Sequence, residues 1–318
     1  IGQFLEQELA EVAGFNVIKG FLNLSLSNSF WTNVLNTISQ QENYGRHPRR
    51  GEKVMVEFSS PNTNKPLHLG HIRNILLGWS AAQILDAAGY EVVKVQVVND
   101  RGIAICKSML AWQLFSEGAT PASTGQKGDH FVGSYYVLFE QKFREEYKTW
   151  QASAAGQQAF GNWKSDERAV KKANKELQEQ IRKAKNKAAQ EGQVFDDSPY
   201  TLEQYFFGTV YKNTYFNTHS PLGRAAKDML LKWEAGDKAT IALWKQMNGW
   251  VYEGFDKTYE NLGVSFDKLY YESDTYLLGR DAVQEGLEKG IFYKKEDGSV
   301  WIDLTEAKLD HKLVLRSD

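Results

Sequence analysis

The sequence predicts an α/β protein built on a parallel sheet, with a large and mostly helical insertion. The apolar run "KVMVEF" (53–58) is typical of a strand buried in a parallel sheet, and "EVVKVQVV" (91–98) predicts a second strand. A helix predicted from Gly70 to Gly89 lies between them, and "IAICKSMLAWQLF" (103–115) predicts the next helix. Strands and helices that alternate in this way form a right-handed βαβ unit, so the sheet is expected to be parallel.

Residues 1–44 precede this unit. They begin with a short helical segment, and the alternating apolar residues of "GFNVIKGFLNLSLS" (14–27) predict a strand or a hairpin. The glycine- and arginine-rich "YGRHPRRGEK" (44–53) is typical of a linker.

The alternation of strands and helices stops in residues 122–245, which carry aromatic helical stretches. Within them, residues 164–190 contain nine basic and four acidic side chains, a local excess of five positive charges. Two interpretations stay open for this segment. It could be a solvated helix on the outside of the insertion, or a basic helix near a nucleic acid.

The alternation returns at about residue 246 with a helix and then the strand "VSFDKLY" (264–270). "GIFYKKEDGSVWIDL" (290–304) has an Asp-Gly turn between apolar runs, which indicates a hairpin. The chain starts at Ile1 without a methionine and stops in the strand-like "KLVLRSD" (312–318), so we expect a fragment of a longer protein.

Composition excludes several classes of protein. The 38 basic and 40 acidic residues give a net charge of −2, so any nucleic-acid surface must be local. The one cysteine, Cys106, excludes an internal disulfide and a cysteine-based zinc site and is typical of a reducing cytosol. No run of 18 apolar residues occurs, and the first residues are acidic rather than basic. We therefore expect a cytoplasmic protein with no membrane partner.

The stretch "VEFSSPNTNKPLHLGHIRN" (56–74) leads from a strand through a polar loop into a helix. In open α/β sheets, ligands bind beyond the carboxyl ends of the strands, where helix N-termini offer N–H groups. Gly70 would let a flat ring approach the backbone, and the imidazoles of His68 and His71 could donate to phosphate oxygens. Neither GxGxxG nor GxxxxGK[ST] occurs, so the prediction is a different nucleotide cradle.

Other interpretations of these residues stay open. His68 and His71 could cap a helix and cover a core edge, or they could form an HxxH metal pair, although no cysteine or third ligand stands nearby. We predict no metal site built from protein ligands. Glu57 could end a strand in solvent, or it could belong to a polar pocket for a cation. That pocket would be formed by Glu57, Ser59, Ser60 and Asn62.

The same stretch resembles the first signature of class I aminoacyl-tRNA synthetases, the HIGH motif, here HLGH (68–71), in its arginyl form. The blocks "VVNDRG", "LGVSFD", "YYESDTY", "GSVWIDL" and "LDHKLVLRSD" follow in the order of that family, so the resemblance covers essentially the whole chain. A bare HxGH is unspecific because small nucleotidyltransferases share it, whereas the extended SSPN-x-x-K-P-x-H-x-G-H context is specific. The resemblance implies a class I synthetase-type Rossmann (HUP-like) parallel sheet and an incomplete catalytic domain.

The resemblance also implies site residues. The arginine pocket would consist of Glu57, Ser60, Asn62 and His71, with Glu272 of "YES" as an acidic addition. ATP would be held by His68, Gly70, His71 and Lys65. Lys65 resembles the lysine that in many arginyl enzymes compensates for a missing lysine in the second signature. The catalytic residues would then be His68, His71 and Lys65.

The implied reaction has two steps. The carboxylate of L-arginine attacks the α-phosphate of ATP, giving arginyl-adenylate and pyrophosphate, and a ribose hydroxyl of tRNA(Arg) then takes the arginyl group. No protein nucleophile is required, and Mg²⁺ is expected on the phosphates, with no permanent cofactor. The complete protein is expected to be a monomer.

The resemblance implies five segments. These are the tail of an N-terminal tRNA-contacting domain (1–44), the first half of the Rossmann catalytic domain (52–121), a helical connective insertion (122–245), a return to the catalytic domain (246–274), and a second insertion or the start of the second half (275–318).

Two other functions stay open, namely a small HxGH nucleotidyltransferase without a tRNA partner and a binding module without catalysis. Arg101 in "NDRG" stands where a tryptophan is common in the family. We expect the 318 residues alone not to activate arginine. We also expect replacement of His68 or His71 by alanine to slow the reaction while changing stability little.

Overall fold

The computed structural model describes residues 1–198, 200–296 and 298–315. The chain forms two compact units, one from residues 1–56 with 79–93 and the other from residues 57–78 with 94 onward. We describe each unit by itself. The five domain boundaries expected from the sequence stay predictions.

The first unit contains a β-hairpin. Strands β1 (Val12–Ile18) and β2 (Phe21–Leu26) pair antiparallel around a turn at Lys19 and Gly20. Both turn residues have positive φ, +50° and +85°, which suits a tight two-residue hairpin turn. Residues 14–27 were predicted to form a strand or a hairpin, and the structure shows the hairpin.

Two helices accompany the hairpin, α1 (Gly2–Glu8) and α2 (Asn28–Gln40). Only the first was expected from the sequence. Helix α2 begins after Ser27, whose hydroxyl accepts from the Phe30 N–H at 3.3 Å. A serine in this position satisfies an N–H group that has no partner within the helix.

The predicted linker has no regular structure, but it is held in place within the first unit. Arg46 and Arg49 both bind the Asp86 carboxylate, at 2.5 and 2.8 Å. The Arg50 Nε donates to the Ala88 carbonyl at 3.0 Å. The arginines of the linker therefore fix it by ion pairs and hydrogen bonds.

The three-stranded sheet has the order β3-β4-β5, formed by β3 (Lys53–Glu57), β4 (Glu91–Val98) and β5 (Lys268–Tyr271). Strands β4 and β5 are parallel. Helix α3 (Leu69–Ala87) follows β3 and precedes β4. The predicted α/β fold with a parallel sheet is confirmed.

Two details of the strand prediction were wrong. Strand β3 is not buried, since its residues alternate between exposed and half-buried and Met55 is 62% exposed. Among the described strands it lies at the edge of the sheet, so it pairs with one strand only, β4. Strand β5 begins at Lys268 rather than at residue 264, because the Val264 N–H bonds the Tyr259 carbonyl at the end of the preceding helix.

The second unit is largely helical. Helix α4 has the predicted bounds, Ile103–Phe115, and packs against a layer of longer helices. The helices that follow are α5 (Pro121–Thr124), α6 (Gly128–Gln151), α7 (Ala154–Lys164), α8 (Glu167–Gln190), α9 (Leu202–Tyr205), a π-helix (Phe206–Val210), α10 (Lys212–Thr218), α11 (Pro221–Glu234) and α12 (Lys238–Leu262).

The core of this layer lies where α4, α6 and α12 meet. Met109 of α4, Phe139 of α6 and Val251 of α12 are fully buried. Cys106 of α4 is also buried, and burial raises the pKa of its thiol to about 12. Removal of these apolar side chains from water stabilises the packing of the helices against one another.

The chain continues through α13 (Glu272–Glu288) into a second sheet of order β6-β7-β8, made of β6 (Phe292–Lys294), β7 (Val300–Ile302) and β8 (Lys312–Leu315). Strands β6 and β7 pair antiparallel, so the predicted hairpin is confirmed. Asp297 of its Asp-Gly turn and residues 316–318 lie outside the described residues. In the described chain, no helix combines the length and apolarity needed to cross a membrane.

Candidate active site

Two consecutive serines turn the chain after β3. Ser59 and Ser60 have φ values of +72° and +46°, the left-handed region that costs a side-chain-bearing residue about 1 kcal/mol or more. The Ser59 N–H donates to the Asn74 Oδ1 at 2.7 Å, and the Ser59 hydroxyl bonds the Tyr259 hydroxyl at 2.8 Å. These bonds hold a conformation that the serines would not favour alone.

Glu57 and Ser60 meet at the end of β3, as predicted. The Ser60 hydroxyl donates to the Glu57 carboxylate and accepts from the Val97 N–H at 3.2 Å. Glu57 itself is exposed. Ser60 thus links the carboxylate to the central strand.

The loop that follows is fastened to the end of β4. Asn62 and Asn99 form a parallel bridge, in which the Thr63 N–H donates to the Asn99 carbonyl at 3.0 Å. The Asn99 N–H in turn donates to the Pro61 carbonyl at 3.0 Å. The bridge orders the polar loop and buries Thr63 and Asn64.

A cleft of about 870 Å³ lies at this end of β4, lined in part by the residues that directly follow the strand. Among the described residues, three cleft-lining side chains hold a buried polar atom without a hydrogen-bond partner, namely Asn64 Oδ1, Asn99 Oδ1 and Arg101 Nε. Asn62 and Glu272 also line the cleft. Buried polar atoms are nearly always paired in proteins, so three unpaired ones in residues that line one cleft mark it as the candidate ligand site.

Asp100 lies between two residues that line this cleft, Asn99 and Arg101, and no role was predicted for it from the sequence. Its carboxylate, only 1% exposed, accepts from the Ser273 N–H at 2.8 Å, the Ser273 hydroxyl at 2.7 Å and the Tyr252 hydroxyl at 3.0 Å. Burial and the Asp100 charge together raise the pKa of Tyr252. The available signal was an acidic residue directly after a parallel strand, in "VVNDRG".

Asp100 thereby fixes the start of α13, where Glu272 stands. Burial raises the pKa of the Glu272 carboxyl, the Arg101 charge opposes that rise, and the Asp100 charge adds to it. The two neighbouring charges therefore act on Glu272 in opposite directions.

Arg101 fills an aromatic slot in the cleft wall. Its Nη2 lies 2.6 Å from the Glu234 carboxylate, and its guanidinium carbon lies 3.7 Å from the Tyr276 ring centroid and 5.2 Å from that of Trp233. A guanidinium is planar and stacks on aromatic faces, so these two rings and the Glu234 carboxylate hold Arg101 in the cleft wall.

The two histidines of HLGH cap helix α3. The His68 Nδ1 accepts from the Gly70 N–H at 3.0 Å, and the His68 N–H donates to the His71 Nδ1 at 3.1 Å. The His68 side chain thus caps the N2 N–H, the His71 side chain returns to the N-cap N–H as the N3 residue of a capping box does, and the two ring centroids lie 3.9 Å apart. Because each Nδ1 accepts, the neutral form of each imidazole has its proton on Nε2. The helix-capping part of that alternative interpretation is confirmed, whereas His68 is exposed and is not shown to cover a core edge.

Gly70 has a local role in this cap. A Cβ on Gly70 would lie 2.9 Å from the His68 Cε1, so the glycine leaves room for the His68 ring. Burial lowers the pKa of His71, and the nearby His68 and Lys65 lower it further. The charge of Lys65 is therefore close enough to act on His71. The described residues contain no cluster of three or more side chains arranged to hold a metal.

The predicted site residues fall into three groups. Lys65, His68, Gly70 and His71 gather at the start of α3, Glu57 and Ser60 at the end of β3, and Asn62 and Glu272 in the cleft. Among the described residues, the lining of the cleft includes neither the first group nor the second. Their roles stay predictions.

Comparison with known proteins identifies the family. Residues 33–198 match the family model described as "tRNA synthetases class I (R), catalytic domain". The arginine–tRNA ligases of Parabacteroides distasonis and Bacteroides thetaiotaomicron are 48% and 47% identical over 320 residues, covering 100% of this chain and 44% of theirs. The Thermus thermophilus arginyl-tRNA synthetase structure is 20% identical, with a TM-score of 0.49 over 99% of this chain and 41% of that one.

The chain thus spans less than half the length of the curated relatives that it matches. The family model nevertheless covers slightly more than half of the chain, with the HLGH motif inside the matched residues. The chain therefore belongs to the arginyl, or (R), family of class I tRNA synthetase catalytic domains.

Proposed function

We propose that this chain carries part of the catalytic machinery of an arginine–tRNA ligase. The complete protein would use ATP to convert L-arginine to arginyl-adenylate and would then transfer the arginyl group to tRNA(Arg). The observation that carries the proposal is the histidine pair, fixed by reciprocal capping at the start of α3. Family membership supports the same reaction.

The histidine pair suits the binding of ATP. Both Nδ1 atoms accept backbone N–H groups, so each Nε2–H is a fixed neutral donor for a phosphate oxygen. Lys65 adds a positive charge near His71. Donors that are already in place when charge develops on the phosphates stabilise the transition state. Mg²⁺ would enter as part of the ATP substrate and would be held mainly by the phosphates.

Carboxylate and amide oxygens suit the arginine. A guanidinium offers five N–H donors in a rigid fork, which is matched by such oxygens. Asn62 and Glu272 present them to the cleft, and Glu57, oriented by Ser60, presents another at the end of β3. His71 would complete the pocket. The Asp100–Ser273 bonds hold the helix start that carries Glu272.

The test is ATP–pyrophosphate exchange by the complete protein, with arginine, lysine or glutamine, and with or without tRNA. Of the three amino acids, we expect only arginine to support exchange, because the point-charge ammonium of lysine would leave acceptors in the pocket unpaired. Equal exchange with lysine would refute the assignment of arginine. A nucleotidyltransferase without a tRNA role would show no tRNA charging, and a binding module would show no exchange at all.

We also propose a cytoplasmic location and a monomeric state for the complete protein. The single buried thiol suits a reducing compartment, in which tRNA charging for translation takes place.

A further inference from the structure

Helix α8, Glu167–Gln190, is fixed to the protein along one side. Ala173 and Leu177 are buried in a cluster with Tyr205, against which Trp163 packs. The Tyr205 hydroxyl also donates to the Glu176 carboxylate at 2.5 Å. The helix therefore presents a defined opposite side to solvent.

The charges on the exposed part of α8 are sorted. One flank carries three ion pairs, Lys172–Glu176 at 3.9 Å, Lys183–Glu179 at 2.9 Å and Lys187–Glu191 at 3.8 Å. The side turned away from the buried cluster carries a line of four exposed cations, which we call the cationic stripe. The cationic stripe consists of Arg168, Lys171, Lys175 and Arg182, all exposed. Spacings of three, four and seven place them along one side of the helix, over about 21 Å.

The cationic stripe is unfavourable for an isolated helix. Like charges three or four residues apart destabilise a helix by a few tenths of a kcal/mol per pair, whereas opposite charges stabilise it by similar amounts. Within the stripe, Arg168–Lys171 and Lys171–Lys175 have the unfavourable spacing, although Lys175 and Arg182 also act on the Glu179 carboxylate. Within α8, eight basic and three acidic residues give an excess of five positive charges, in a chain whose net charge is −2. Repulsion of this kind is relieved by a bound polyanion.

We propose that the cationic stripe of α8 binds the phosphate backbone of an RNA stem. The identity of that RNA as the tRNA substrate rests on the proposed function. A straight line of cations about 21 Å long, on a helix that is packed against the protein, matches the regular spacing of phosphates along a duplex. Each contact between a cation and a phosphate releases about one counterion from the nucleic acid. An anionic membrane is disfavoured, because a membrane-surface helix inserts its apolar side and that side of α8 is packed against Tyr205 and Trp163.

The experiment compares two variants of the complete protein with equal charge changes. The stripe variant combines Lys171→Gln, Lys175→Gln and Arg182→Gln. The control combines Lys172→Gln, Lys183→Gln and Lys187→Gln, the three lysines of the ion-paired flank. Affinity for a tRNA transcript is measured by fluorescence anisotropy over a series of salt concentrations, with circular dichroism to check helix content.

The stripe variant should lower the slope of log affinity against log salt by about 2 to 3, since each lost phosphate contact removes about 0.7 to 0.9. The control should retain a slope close to that of the unmodified chain. Equal losses in both variants, or no loss in the stripe variant, would overturn the proposal.

A second measurement needs no variant. Lysine acetylation of the unmodified chain, read by mass spectrometry, should show that bound tRNA protects Lys171 and Lys175 but not Lys172, Lys183 or Lys187. Uniform reactivity would overturn the proposal, as would stripe-dependent binding to phosphatidylserine vesicles without protection by tRNA. If the stripe protects while the complete protein shows no arginine-dependent exchange, the proposed reaction fails and the RNA surface stands.

Discussion

At the scale of single residues, each histidine of HLGH has two different ring nitrogens. The Nδ1 accepts a backbone N–H of the protein, and the Nε2 is the atom that could bind a ligand. Each uses Nδ1 to satisfy a backbone N–H at the start of α3, which leaves Nε2–H as the donor. Loss of the side chain must therefore cost stability as well as chemistry. From the sequence we expected stability to change little, and the capping bonds change that prediction to a measurable loss.

His68→Ala should lower the free energy of unfolding by about 1 kcal/mol, the usual cost of a lost N-cap. It should also slow arginine activation by the complete protein about 10²-fold or more, as removal of a preorganised donor does. Urea unfolding and pyrophosphate exchange measure the two effects.

His68→Asn is the matched control, because asparagine is a good N-cap but its shorter side chain cannot place a donor where the imidazole Nε2–H would meet a phosphate oxygen. It should keep stability near that of the unmodified chain and still lose activity. Near-normal exchange by this variant would remove His68 from the phosphate site.

The pH dependence of His71 follows from its lowered pKa. In the unfolded chain His71 takes up a proton near its ordinary pKa of 6.5, whereas in the folded chain it does so at lower pH. The unfolded state therefore binds more protons as the pH falls below 6.5, and the folded state loses stability. Protonation of Nδ1 would also break the bond from the His68 N–H.

His71→Gln should abolish this contribution, because glutamine completes a capping box but does not titrate. Urea unfolding at pH 7.5 and 5.5 would measure the difference between the two chains. The same decrease in both would show that His71 does not cause it.

At the scale of elements, local patterns of apolar and turn residues predicted several pieces correctly. The β1-β2 hairpin, strand β4 and helix α4 were predicted with the correct type and nearly correct bounds. Strand β5 was placed too early, because the end of α12 takes the Val264 N–H. The left-handed turn at Ser59 and Ser60 could not be foreseen, since the side chains that hold it come from distant positions.

Asn74 links α3 to that turn, so Asn74→Ala should lower the free energy of unfolding by about 1 kcal/mol, the net value of one hydrogen bond. Asn74→Asp keeps an acceptor for the Ser59 N–H and should cost less. Thermal unfolding of the two variants would test this, and an equal loss in both would show that the bond is not what stabilises the turn.

At the scale of the whole molecule, the cleft is assembled from residues that are far apart in the chain. Asp100 and Ser273 are 173 positions apart, and Arg101 and Glu234 are 133 apart. Sequence patterns carry little information about such pairs, so Asp100, Asn64 and the partner of Arg101 were missed. Resemblance to a family supplied Asn62 and Glu272, and the structure places both in the cleft.

Because Cys106 is buried, the rate at which its thiol is labelled measures how often the surrounding helices unfold locally. The chain has one thiol, which lies on α4 in the core of the helical layer. The raised pKa of this thiol leaves almost no reactive thiolate at pH 8. A disulfide reagent should therefore label the native chain far more slowly than the chain in urea, at a rate set by how often the helical layer opens. One label per molecule then measures local unfolding directly. Rapid and complete labelling of the native chain would show that α4 exchanges with solvent freely.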